Sequence, residues 1–226
     1  MKVVAGDQPR LVLATGNAGK WREFQVLLQG LDLDLALQSD WNVSACPEPY
    51  ATFIENALAK ARHASAQTGL PALADDSGLC VQALAGAPGV HSARFAHENG
   101  GFDNGQRSRA AQDQANNGKL LRELEAVAER RAHFTCVLAA VRHASDPEPL
   151  IAHGWLHGAI ALAAAGEGGF GYDPLFLLPD ANLTLAQIPA EQKNSISHRA
   201  RAARQLVQLL QVVWRIRSRL TPGSPS

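Results

Sequence analysis

The stretch that most limits what this chain can become is Leu73-Ala74-Asp75-Asp76-Ser77-Gly78. Apart from Pro71, residues Leu70 to Ala74 are apolar and read as a strand entering a core. That strand is expected to end in two adjacent carboxylates, with Ser77 and Gly78 forming the turn. Side chains alternate along an extended chain, so Asp75 and Asp76 point different ways. One can face a ligand or metal while the other braces the turn. Gly78 supplies a backbone free to take a left-handed dihedral or a close approach. Asp, Ser and Gly are also the usual turn residues, so alone the stretch reads better as an ordinary surface turn. Its meaning depends on the motifs around it.

The chain has 226 residues, 46% of them hydrophobic, which suits a soluble globular fold of one large or two small domains. Lys+Arg and Asp+Glu both number 21. A non-specific nucleic-acid binder would show a basic excess, so no nucleic-acid partner is expected. Cys46, Cys80 and Cys136 are far apart and lack C-x-x-C spacing. That argues against a disulfide framework or zinc site and for a reducing, cytoplasmic setting. Nothing approaches the ~20 apolar residues of a membrane span, and Met1–Pro9 has no signal-peptide h-region. We expect one domain over residues 1–220 and a frayed tail over 221–226.

Leu11-Val12-Leu13-Ala14 reads as a buried strand, followed by Thr15-Gly16-Asn17-Ala18-Gly19-Lys20 and a helix whose Trp21, Phe24, Leu28 and Leu31 share a face. A strand, a glycine turn and a helix start form an anion site, because free N–H groups and the dipole meet phosphate there. Lys20 adds a full charge. The spacing is not that of a Walker A loop, whose glycines are farther apart and whose Lys precedes Ser or Thr. A plain strand-to-helix connection with a surface lysine is the equal alternative. Thr52-Phe53-Ile54-Glu55 has capping-box spacing, so Glu55 is read as structural, with a helix to about His63. Asn56 and Lys60 share one face of it. Glu48, in a loop bracketed by Pro47 and Pro49, is either a metal ligand or a solvated loop residue.

Gly86 to Phe95 is a glycine-rich loop, residues 96–105 an insertion, and Asp113 to Val127 a helix. Three strands are expected next: His133 to His143, one through Ile151 and Trp155, and one over Ala159 to Ala163, forming an antiparallel meander. In Gly168-Gly169-Phe170-Gly171-Tyr172-Asp173-Pro174, the aromatics are the bulky groups on a pliant backbone. They suit stacking on a base or tucking into the core. Leu175 to Leu178 returns as a strand. Ser197 is a natural N-cap for a last helix whose buried stripe is Leu206, Leu209, Leu210, Val213 and Leu220. Its arginines are read as an exposed face with cations near the C-terminal end of the dipole.

These motifs, in this order, resemble the inosine/xanthosine triphosphate pyrophosphatases, the Ham1-like hydrolases of aberrant purine nucleotides. The matching segments are Leu13–Lys20, Thr52–Ala57, Ala74–Leu79, Gly168–Pro174 and Ser197-His198-Arg199, spanning about Leu11 to Leu210. The resemblance implies an α/β fold with a long mixed central sheet flanked by helices, two lobes around a cleft, Mg²⁺ dependence and a homodimer. It implies hydrolysis of ITP, dITP and XTP to the monophosphate and pyrophosphate. By position, Thr15, Gly16, Asn17, Ala18, Gly19, Lys20 and Lys60 would hold phosphates. Asp76 would be general base and metal ligand with Glu48, while Asp75 would support it. Ser77 would meet the substrate, and Phe170, Gly171, Tyr172, Asp173, Lys193, His198 and Arg199 would recognise base and sugar. Three positions depart from the pattern: Tyr50 stands where a Gly follows the Glu48 position, His91 replaces an aromatic, and the 96–105 insertion is long. A pyrophosphatase of different base preference, or a non-catalytic nucleotide- or RNA-binding module, are the other readings.

Overall fold

Strand β1 (Arg10–Ala14) lies inside a sheet, and its Leu11, Val12 and Leu13 are all but inaccessible. A strand covered on both faces reads as a continuous apolar run, which is why Leu11–Ala14 carries no alternation. The computed structural model describes residues 8–97 and 108–219. Within these, helix α1 (Ala18–Leu27) follows β1, then β2 (Asp34–Leu37), α2 (Phe53–Thr68), β3 (Ala72–Val81), α3 (Arg109–Glu123), β4 (Arg131–Val141), β5 (Leu150–Ile160), β6 (Phe176–Leu177), α4 (Ala190–Ile196) and α5 (His198–Val212). The sheet order is β2-β1-β3-β4-β5-β6, a mixed α/β arrangement. β1 runs parallel to both β2 and β3, with Leu13 opposite Leu37 and Leu73, and β5 pairs antiparallel with β6.

The chain divides into two compact units. The first comprises Met1–Asp76, Val137–His153 and Ala202–Ser226, and the second Ser77–Cys136 and Gly154–Arg201. The first unit's core is built from small residues. Ala57, Ala61 and Ala64 recur along one face of α2 and meet Val12, Ala14, Ala72 and Ala74 of the strands. Thr52 caps α2, accepting from the Glu55 N–H at 3.3 Å, and its hydroxyl donates to the Glu55 carboxylate at 2.6 Å. The second unit's core is large and aromatic, with Phe134 and Phe176 ring centroids 4.7 Å apart among Leu120, Leu124, Leu175 and Tyr172.

Several sequence expectations are revised. The expected turn at Asp75–Gly78 is strand: β3 continues to Val81, and Gly78 has no left-handed dihedral. α2 extends to Thr68 and ends on the left-handed Gly69. Leu31 lies beyond α1 and bridges Ser218. The two strands expected over Ile151–Ala163 are the single strand β5. α5 stops at Val212 with no basic residue in its last turn, so Arg215, Arg217 and Arg219 lie past the helix. Val213, expected in the buried stripe, is 42% exposed. All three cysteines are free thiols. Among the described residues no helix is long and apolar enough to cross a membrane. The expected tail at 221–226, Leu220 and most of the 96–105 insertion lie outside the described residues.

Candidate functional site

In the first unit, strand β3, helices α1 and α2 and the Glu48 loop gather carboxylates and lysines. Asn17 caps α1 by accepting from the Gly19 and Lys20 N–H groups at 2.8 and 3.3 Å, while Thr15 Oγ1 accepts from the Asn17 N–H. Two of the amides expected to face a phosphate are therefore taken by Asn17. The space beside Gly16 is open. Lys20, from the first turn of α1, donates to the inaccessible Asp75 carboxylate at 2.5 Å.

Lys60, two turns into α2, reaches Asp76 Oδ1 at 2.7 Å and Glu48 Oε1 at 2.9 Å. Each β3 aspartate thus has its own lysine, in keeping with the opposite directions of neighbouring side chains along a strand. The Glu48 loop is fixed by Asn56, whose side chain accepts from the Tyr50 N–H at 3.2 Å and donates to the Tyr50 carbonyl at 3.1 Å. Asn56 is buried, and its role has no sequence signal beyond sharing a helix face with Lys60. Burial pushes the Asp76 carboxyl above its ordinary range, although Lys60 and Lys20 pull the other way. Burial works against the Lys60 ammonium, but Asp76 and Glu48 outweigh it and hold its pKa above the usual lysine value. Asp76 Oδ2 is buried and has no hydrogen-bond partner. That is an acceptor in wait for a cation or a donor.

In the second unit, Ser77 Oγ accepts from Arg199 Nη2 at 3.0 Å. Ser197 caps α5 through the Ala200 N–H, so His198 and Arg199 open that helix as expected, but both are buried. The His198 ring stacks on Phe134, with centroids 4.8 Å apart. Asp173 Oδ2 accepts from Lys193 Nζ at 2.6 Å and from the Phe170 N–H at 2.8 Å. Phe170 is half-buried, with Lys193 Nζ 4.6 Å and the Arg199 guanidinium 5.9 Å from its ring centroid. Gly169 has a φ of 77°, and a side chain there would collide with the Asp173 carboxylate. Tyr172 points inward, its hydroxyl donating to the Ser92 carbonyl at 2.9 Å. The pair of aromatics is thus split, Tyr172 to the core and Phe170 to the loop surface.

Among the described residues no group of three or more His, Cys, Asp or Glu is placed to hold a metal. Two carboxylates, Asp76 and Glu48, share one lysine, and one of their oxygens is idle. That donor set fits a hard cation that arrives with phosphate oxygens, as Mg²⁺ does, better than a resident ion caged by protein.

Fold and clusters together define an α/β protein with two consecutive strand carboxylates, each paired to a separate lysine. The model of the Ham1 family matches residues 11–209. The dITP/XTP pyrophosphatase of Bordetella pertussis is 58% identical over 201 residues, covering 89% of this chain and 91% of that protein. The dITP/XTP pyrophosphatase of Ralstonia nicotianae is 53% identical over 203 residues, covering 90% and 97%. A solved HAM1 protein from Coxiella burnetii matches with a TM-score of 0.80 at 43% identity, over 90% of this chain and 98% of that one. The chain belongs to the Ham1 family.

Proposed function

We propose that this protein hydrolyses dITP, ITP and XTP to the monophosphate and pyrophosphate, and so removes aberrant purine nucleotides. One observation carries the chemistry: Asp76, buried beside Lys60, keeps an unpartnered carboxylate oxygen and a raised proton affinity. A general base works best when its pKa is moved toward the operating pH. Asp76 orients a water and takes its proton as the water oxygen bonds to the α-phosphorus. The bond from that phosphorus to the bridging oxygen breaks, and the electron pair leaves with pyrophosphate. Lys20 and Lys60 offset the charge that builds on the departing group, the dominant need of phosphoryl chemistry. Asp75 holds Lys20 in place. Asp76 and Glu48 would hold Mg²⁺. When bound, that ion supplies charge neutralisation and Lewis acidity at the phosphates.

The second unit's cluster takes the base. Phe170 offers a face for stacking, while Lys193, His198 and Arg199 supply donors. Hypoxanthine and xanthine present a 6-keto acceptor there, and adenine presents a donor. A site built of donors leaves groups unpaired against adenine, which discriminates by roughly 10⁴ or more. One catalytic domain over residues 1–220 is part of this proposal. A cytoplasmic homodimer is the proposed working form, checked by light scattering. Pyrophosphate release from dITP, XTP, ITP, GTP and ATP, with Mg²⁺ and with EDTA, tests the reading. The first three should exceed ATP by orders of magnitude, and GTP as well, and only with Mg²⁺. Rejection of guanine, which shares the 6-keto group, falls to its 2-amino group. Equal rates on all five, or none, would sink it.

A further inference from the structure

Helix α3 takes no part in the chemistry above, yet it holds the Phe170 loop by both ends of one residue. Asp113 Oδ2 accepts from the Gly171 N–H at 2.8 Å, and Asn117 Nδ2 donates to the Gly171 carbonyl at 3.0 Å. Asp113 and Asn117 are four residues apart and therefore share a helix face. Gly171, with a φ of 63°, sits between Phe170 and Tyr172. Glycine is the least restricted residue, so the direction of Phe170 has to be set from outside its own backbone.

The same helix secures the neighbouring loop. Asn116 donates to the Ser92 and Ala93 carbonyls at 3.3 and 3.2 Å and accepts from the Ala96 N–H at 2.8 Å. Ser92 is also where the Tyr172 hydroxyl docks. Asn117 Oδ1 is buried without a partner. Turning the amide over would set that oxygen against the Gly171 carbonyl, so the orientation is fixed by the one bond it makes.

We propose that Asp113 and Asn117 are positioning residues for base recognition: gripping both polar groups of Gly171, they set the angle at which Phe170 meets the purine. This rests on the pyrophosphatase reading above. Asn117→Asp is nearly isosteric but has no donor for Gly171, while Asp113→Asn keeps an oxygen acceptor and Asp113→Leu does not. With dITP, Asn117→Asp and Asp113→Leu should raise KM about tenfold with kcat within about threefold, the size of one buried group left unpaired. Their preference for dITP over GTP should narrow. Asp113→Asn should stay near wild type. Amide exchange over residues 166–173 should quicken in Asn117→Asp with or without nucleotide. Unchanged exchange, unchanged KM and preference in folded Asn117→Asp, or an Asp113→Asn as impaired as Asp113→Leu, would each overturn the assignment. A wild type that releases no pyrophosphate while Asn117→Asp still loosens the loop would instead sink the reading of the site and keep only the clamp's geometry.

Discussion

Asp76 and Asp173 look alike at first. Each is buried and has a lysine within 2.7 Å. They differ in the second oxygen and the second partner. Asp173 Oδ2 is shared between Lys193 and the Phe170 N–H, so its charge is spent on holding a loop. Asp76 leaves Oδ2 with nothing to accept, and its lysine is shared with Glu48. A carboxylate whose oxygen is shared by a lysine and a backbone N–H stabilises the fold. One that keeps a bond open costs stability and is available for chemistry. Buried ion pairs by themselves do not separate the two cases.

Substitution should pull the pair apart. Asp76→Asn should lose about 10²–10⁴ in kcat, the worth of a general base, while circular dichroism and melting stay near wild type. A mutant with near-normal pyrophosphate release would end the assignment. Asp173→Asn should do the reverse. It removes the negative charge that faces buried Lys193 and the acceptor shared with the Phe170 N–H, costing about 3 kcal/mol of stability in chemical denaturation, with kcat on saturating substrate much less changed. If Asp173→Asn melts like wild type, the distinction fails. Phe170→Ala should raise KM about tenfold or more, by the 1–3 kcal/mol of a stacked base, with a stability loss of only about 1 kcal/mol from the cation contacts on its ring. Tyr172→Phe removes one buried bond to Ser92 and should lower stability by about 1 kcal/mol, with KM nearly unchanged.

The pH profile sharpens the same contrast. A base must be ionised, so activity falls as pH drops through its pKa. Because burial raises the Asp76 value, the acidic limb of kcat/KM should lie above the ordinary aspartate range. Lys60 pulls that value down, so Lys60→Met should move the limb further up. A limb at ordinary aspartate pH would contradict the buried, partly open geometry.

Much of this was legible in the sequence and some was not, for identifiable reasons. The strand Leu11–Ala14, the Thr52 cap and the Ser197 cap follow from apolar runs and local spacing, which short-range physics decides. The continuation of β3 through Asp75 and Asp76 was not legible. Adjacent carboxylates favour a turn unless something neutralises them, and Lys20 and Lys60 come from other elements. Lys60 as a bridge between Glu48 and Asp76 was missed for the same reason. Asp113 and Asn117 bind backbone groups of a distant loop, which leaves no motif, and Asn56, though inside the Thr52–Ala57 segment, shows nothing there of its grip on Tyr50. Val213 leaves the buried stripe because the helix ends one residue before it.

The alanines of α2 have one more consequence. Methyl groups at 57, 61 and 64 possess no rotamers, so nothing on that face can shift to absorb a change. Lys60 projects from the same helix between two of them. The root of its side chain is therefore held against the sheet, and Glu48 and Asp76 place the ammonium at the end of the flexible stem. A larger residue at Ala61 would overpack that face at a cost of about 1–3 kcal/mol and press on the helix that carries Lys60, although it would alter no residue that touches either acid.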